Sequence, residues 1–181
     1  MSHLEAHRLP YPFSDWHAYQ GQTNDCGPFS VAIAANAIRQ ETVFNPEALS
    51  RSLAQWRGWL PPDRVPGWIV FPWGLVRVLR EQGFGARWRV LNREERLWRN
   101  LHADLTTIVV VGRPLRFKGW RWAGWSHYKV LHAWDPERGW GFADPAVSRA
   151  PGLSWQDEAT FRREWTWMGR QLIEVWDSED R

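Results

Sequence analysis

The stretch from Cys26 through Gly27, Pro28, Phe29, Ser30 and Val31 to Ile38 sets the terms for any fold this chain can take. Val31, Ala34 and Ile38 recur at helical spacing among small apolar neighbours, which predicts a helix ending near Gln40 with one face in a core. Pro28 fits only a first turn, where the N–H it lacks has no helical partner in any case. Asn24 or Asp25 stands where a side chain can cap the remaining free donors. The only cysteine of the chain therefore falls at the N-terminal end of a buried helix. Free N–H groups and the helix dipole favour a thiolate there, which makes the sulfur nucleophilic. A lone cysteine is by default a small buried hydrophobe. Its place at a helix start, with Gly27 expected to leave room beside the sulfur, points to chemistry instead.

A thiol nucleophile needs a base and a group that orients the base. His127 stands in Trp125-Ser126-His127-Tyr-Lys-Val, and Asp144 follows Trp140-Gly-Phe-Ala ahead of Pro145. Gln20 lies six residues before Cys26. The order Gln20, Cys26-Gly-Pro, His127-Tyr-Lys-Val and Asp144-Pro resembles the papain-like cysteine peptidases, specifically the bacteriocin-leader (double-glycine) peptidase type and its stand-alone relatives. The likeness runs over roughly residues 16 to 176. It implies an α+β fold in which an N-terminal helical half packs on a C-terminal antiparallel β-sheet, with the cysteine on one side of a cleft and the histidine on the other. It also implies the roles: Cys26 as nucleophile, His127 as base and then acid, Asp144 as its orienting partner, and Gln20 with the Cys26 N–H as oxyanion donors. Gly27, Trp122, Trp125 and Ser126 are the expected substrate-side residues.

Two residues compete for these roles. His132 lies five positions after His127 and, on a regular strand, points to the opposite face, whereas Lys129 and Leu131 share the face of His127. The same geometry disfavours a shared zinc ion, and one cysteine leaves no standard structural zinc site. Asp135 opens Asp-Pro-Glu-Arg-Gly, which reads as turn chemistry. The implied reaction is hydrolysis of a peptide or amide bond without cofactor or metal. Acyl transfer by the same groups, as in the related phytochelatin synthase, and a non-catalytic binding module on the same fold are the alternatives.

Composition narrows the setting. With 181 residues the chain can bury a full core and is expected to form one domain, residues 1–15 being an irregular arm. No apolar run approaches the roughly 20 residues that span a bilayer, and the first ten residues carry no signal-peptide core, so no membrane partner and a cytoplasmic location are expected. A net charge of +3 is carried almost wholly by arginine scattered among acids. That argues against nucleic acid as partner, even though Arg113 to Arg121 is locally basic and interleaved with Trp120. Oligomeric state is not legible. Of the 16 tryptophans, most must be structural, and only Trp122 and Trp125, just ahead of His127, are expected in a cleft wall.

The remaining elements follow from local signals. Asn45-Pro46-Glu47 predicts a helix start and a helix to about Arg57 with Leu49, Leu53 and Trp56 on one face; residues 58–67 read as a loop. A helix over 72–82 is stopped by Gly83, a strand runs over 87–91, and Asn92 with Glu95 forms a capping box for a helix to Leu101. Thr106 to Val111 is a buried strand, and 112–126 reads as a connection. Strands over 127–134 and 140–143 flank the Asp135 turn, Ser154 is expected to cap a helix through Trp165, and 171–176 is a final strand.

Overall fold

The computed structural model describes residues 5–55, 62–65, 69–118 and 121–180; the side chains of 115–118, 121–123 and 180 fall outside this description. The helical part opens with the short strand β1 (His7–Arg8), then α1 (Cys26–Arg39), α2 (Pro46–Leu53), the strands β2 (Arg64–Val65) and β3 (Ile69–Val70), and α3 (Pro72–Glu81). There follow β4 (Phe84–Arg89), α4 (Glu94–His102), β5 (Thr106–Lys118), β6 (Arg121–Asp135), β7 (Gly139–Ala143), β8 (Leu153–Gln156), α5 (Glu158–Trp167) and β9 (Leu172–Asp177). The result is α+β, with the N-terminal helices packed on an antiparallel sheet.

Small side chains explain why α1 can run through the core: every residue from Cys26 to Ala37 is buried. It lies against β6, α2 and α3. Gln40 ends it in a left-handed conformation at φ 53°. Buried Asn36 accepts the N–H groups of Val43 and Phe44 at 2.9 Å each and donates to the Phe44 carbonyl at 3.0 Å. That single side chain satisfies three backbone groups in the connection to α2, which Asn45 then caps by accepting the Ala48 N–H at 2.8 Å.

The sheet order is β4-β9-β5-β6-β7-β8, with β1 added to β6. All pairings are antiparallel. The last strand, β9, thus sits between β4 and β5. Buried charge is paired across it: Glu174 on β9 receives Arg89 at 2.8 Å and Arg96 at 3.3 Å. Gly85 is required opposite Trp176, because a Cβ there would lie 2.0 Å from the indole.

Several local readings are corrected by long-range pairing. Residues 112–126 are no connection: β5 continues to Lys118 and β6 begins at Arg121, a long hairpin with a register shift between Arg113 and Arg116. Ser154 belongs to β8, which pairs with β7, and the cap of α5 is Asp157, accepting the Thr160 N–H at 2.9 Å. Asn92 donates to the Arg170 carbonyl at 2.9 Å instead of capping, and α4 begins at Glu94. Strand β4 starts three residues earlier than expected, at Phe84, and Leu91 turns away at φ 55°. Within the N-terminal arm, His7 and Arg8 pair with Trp134 and Ala133, so the arm is not wholly irregular. Helix α2 stops at Leu53, and the expected contributions of Trp56 and Arg57 lie outside the described residues. Within the expected loop of 58–67 lies β2, which pairs with β3 just beyond it.

Candidate active site

Cys26 is the first residue of α1, buried to 8% exposure. Asp25 precedes it as the N-cap residue but makes no side-chain capping bond; its carboxylate pairs with Arg64 of β2. The start of the helix is therefore held from outside by an ion pair. Ser30, one turn on, donates to the Tyr128 carbonyl at 3.0 Å, and the Tyr128 hydroxyl donates to the Val70 carbonyl at 2.9 Å. These two bonds fix α1, β6 and β3 against one another beside the cysteine. Gly27 does not leave room by the sulfur: a Cβ there would meet Leu75 at 3.1 Å and Tyr128 and Val70 at 3.4 Å, so it permits the close packing of α1.

His127 stands in the middle of β6, opposite Val111 of β5. Its Nε2 lies 2.7 Å from Asp144 Oδ1. Nδ1 is then the nitrogen left for proton exchange with Cys26, with which the ring interacts. Burial works against the imidazolium, but the hydrogen bonds and charges of Asp144 and Cys26 more than offset it, and the His127 pKa is pushed up to about 9. Asp144 is buried just past the end of β7. Burial opposes its ionisation too, yet the His127 bond, the charges of Lys129 and His127 and the Ala146 N–H hold its carboxyl well below the usual carboxylate range.

Gln20 reaches the same place from the arm. Its backbone N–H donates to the Pro145 carbonyl at 2.9 Å, next to Asp144. The loop from Gln20 folds back through Gly21, at φ +68°, and closes with reciprocal bonds of 2.8 Å: Gln20 Nε2 donates to the Thr23 carbonyl and the Thr23 hydroxyl to the Gln20 carbonyl. Gln20, Cys26 and His127 line one cavity of about 60 Å³ together with Asn24, Ser126 and Tyr128. Gln22 is exposed on the outside of the loop. Asp144 is reached through His127.

The comparisons with known proteins agree with this geometry at the level of fold. No protein-family model matches the chain, and no curated protein matches it in sequence. Among solved structures, a C39-like peptidase from Bacillus anthracis superposes with a TM-score of 0.69 at 15% identity, covering 94% of this chain and 97% of that one. The chain has the fold of the C39-like peptidases. The peptidase domain of Streptococcus ComA, a bifunctional ABC transporter involved in a quorum-sensing pathway, superposes with a TM-score of 0.60 at 21% identity, covering 90% of this chain and 99% of that one. A double-glycine motif protease from an AMS/PCAT transporter, solved in complex with its leader peptide, superposes at 0.58 with 16% identity over 93% of each chain.

In this fold the cavity at Cys26 opens along a groove of about 360 Å³ that shares Asn24, Ile69 and Ser126 with it and continues past Trp125 to Arg113 and Met168. Trp125 is 43% exposed at its wall. The side chain of Trp122 lies outside the described residues. His132 is buried on the other side of β6 against Phe13 and Trp155, remote from this cavity. Asp135 holds its turn, accepting the N–H groups of Glu137 and Arg138 at 2.9 and 3.0 Å.

Sequence reasoning missed three neighbours of Asp144. Lys129 Nζ lies 3.0 Å from Oδ2, the Ser154 hydroxyl donates to the same oxygen at 3.2 Å, and His17 donates through Nε2 to the Asp144 carbonyl at 3.0 Å. Lys129 had a signal, since alternation puts it on the His127 face. His17 and Ser154 had none, because their bonds to Asp144 span 127 and 10 residues. Among the described residues no three His, Cys, Asp or Glu side chains group to hold a metal, and no helix is long and apolar enough to cross a membrane.

Proposed function

We propose that this protein is a cysteine hydrolase that cleaves a peptide or amide bond through Cys26, His127 and Asp144, with Gln20 in the oxyanion hole. The observation that carries the reading is the His127 ring, bonded to Asp144 at 2.7 Å by one nitrogen while its other nitrogen serves Cys26 in a shared cavity. In the first step Cys26, its proton held by His127, attacks the scissile carbonyl. The negative oxygen that develops is met by the Cys26 N–H and by the second Nε2 hydrogen of Gln20, which the Thr23 carbonyl does not use. His127 then passes its proton to the leaving amine. Water, activated by the same imidazole, releases the acyl group from sulfur.

The groove past Trp125 and Ser126 suits an extended chain lying across the cysteine. The leader-peptide complex of the double-glycine protease, at the same fold, supports a peptide substrate over a small amide. A peptide library offered to the wild type and to Cys26→Ala tests the proposal: products formed by the wild type alone support it, and equal product from both overturns it. On any substrate so found, Gln20→Ala should lower kcat about a hundredfold, roughly 3 kcal/mol, with KM nearly unchanged. Gln22→Ala should change neither, and the reverse ranking would move the oxyanion donor to Gln22.

A further inference from the structure

Asp144 carries more partners than an orienting carboxylate requires. Oδ1 accepts from His127 Nε2 at 2.7 Å and from the Ala146 N–H at 2.9 Å; Oδ2 faces Lys129 Nζ at 3.0 Å and accepts the Ser154 hydroxyl at 3.2 Å. Both oxygens are thus doubly engaged and the group is buried, so the carboxylate cannot swing away from the histidine. Lys129 is itself mostly buried, its side chain 14% exposed, and its ammonium stands 5.5 Å from the Phe142 ring. One buried carboxylate therefore serves two cations from one face of β6. The first is the lysine ammonium, and the second is an imidazolium that comes and goes with the catalytic proton.

We propose that Lys129 is a positioning residue that sets the charge balance of the site: it pins the second oxygen of Asp144 and, sharing that carboxylate, keeps the His127 imidazolium from being stabilised beyond use. The inference rests on the triad reading above. An acid that must hand its proton to a leaving amine works best when its affinity for that proton is near the operating range. A buried carboxylate with no other cation would hold the imidazolium more tightly, and the nearby ammonium opposes this. Other titratable groups around the pair are Cys26 from α1 and His17 from the arm, which donates to the Asp144 carbonyl. Strand β5 brings Val111 opposite His127, β3 brings Ile69 and Val70 to the cavity, and β8 brings Ser154; none adds a charge. Lys129 is thus the one fixed cation at this carboxylate among the described residues.

The test reads His127 directly, by NMR titration of its imidazole in the full chain, with no substrate needed. In Lys129→Met the midpoint should rise by about half a unit to one unit, and in Lys129→Arg it should stay with the wild type. Lys129→Gln, which keeps a donor on Asp144 without the charge, should rise as Lys129→Met does and is decisive if the latter does not fold. A midpoint unmoved in the neutral variants overturns the proposal, as does failure of both to fold, since Lys129 would then hold the structure and not the proton. The wild-type titration keeps the two readings apart. A His127 midpoint near an ordinary histidine would unseat the triad itself, whereas a raised midpoint indifferent to Lys129 removes only this inference.

Discussion

Two histidines five residues apart on one strand have opposite fates. His127 and His132 are both largely buried in β6, yet the first is pushed up to about 9 and the second pulled down to about 4. Burial disfavours the charged ring in both. What separates them is company: His127 meets the carboxylate of Asp144 and the sulfur of Cys26, while His132 meets the rings of Phe13 and Trp155, feels the positive charges of Arg8 and Arg138, and finds no hydrogen-bond partner for Nε2 among the described residues. Even Gly141 on β7, paired with Ala133, serves the second site, since a Cβ there would lie 2.9 Å from His132 Nε2. One strand thus presents a carboxylate-paired histidine on one face and a packing residue on the other.

The largest expected effect separates them by function. His127→Ala should lower turnover about a thousandfold or more and slow iodoacetamide alkylation of Cys26 at neutral pH. His132→Phe should leave both rates near the wild type. Equal losses from the two substitutions, measured side by side on folded protein, would dissolve the comparison.

Stability against pH should divide them next, with opposite signs. The native pKa of His132 is depressed below its unfolded value near 6.5, so its contribution is complete above that pH and is lost as the pH falls toward about 4. A shift of this size corresponds to about 3 kcal/mol. His127 is raised, so its contribution is complete below 6.5 and is lost as the pH climbs through about 9. Urea unfolding across both windows should show His132→Phe flattening the acid side alone. An unchanged acid slope in that variant would mean that other groups carry it.

The smallest expected effect sharpens the cause assigned to His127. Asp144→Asn keeps an acceptor for Nε2 but removes the charge, so turnover should fall by roughly tenfold or somewhat more and the His127 midpoint should drop back toward 6.5 or below. Asp135→Asn should do neither. If Asp135→Asn proved the more damaging, the orienting role would belong to the turn.

What was legible in the chain follows the range of each interaction. Helix α1, the cap of α2 and the Asp135 turn depend on neighbours within a few residues, and the patterns around Asn45 and Asp135 state them outright. The difference in face between His127 and His132 follows from strand alternation alone. The length of the 106–135 hairpin was hidden because Gly112, Arg113 and Pro114 read locally as a break, while pairing across the register shift carries the strands through them. Ser154 and Asn92 have the local form of caps, but β7 claims the strand around Ser154 and the Arg170 carbonyl claims the Asn92 amide. Lys129 lay open as a residue on the right face. Its partner, fifteen positions on beyond a turn, is visible only once β7 is laid against β6.

The position of β9 between β4 and β5 has a consequence for the order in which the molecule can be made. During synthesis α1 to α4 and β4 emerge long before Leu172–Asp177, and among the described residues β4 has no other strand to pair with. Until those six residues arrive the sheet exists as two unjoined edges, and Arg39 at the end of the cysteine helix lacks Asp177, its partner at 2.8 Å. Contacts of such sequence separation form late and slowly. The growing chain therefore carries Cys26 on an unfinished scaffold until Leu172–Asp177 have been made, and β9 acts as the keystone that closes it.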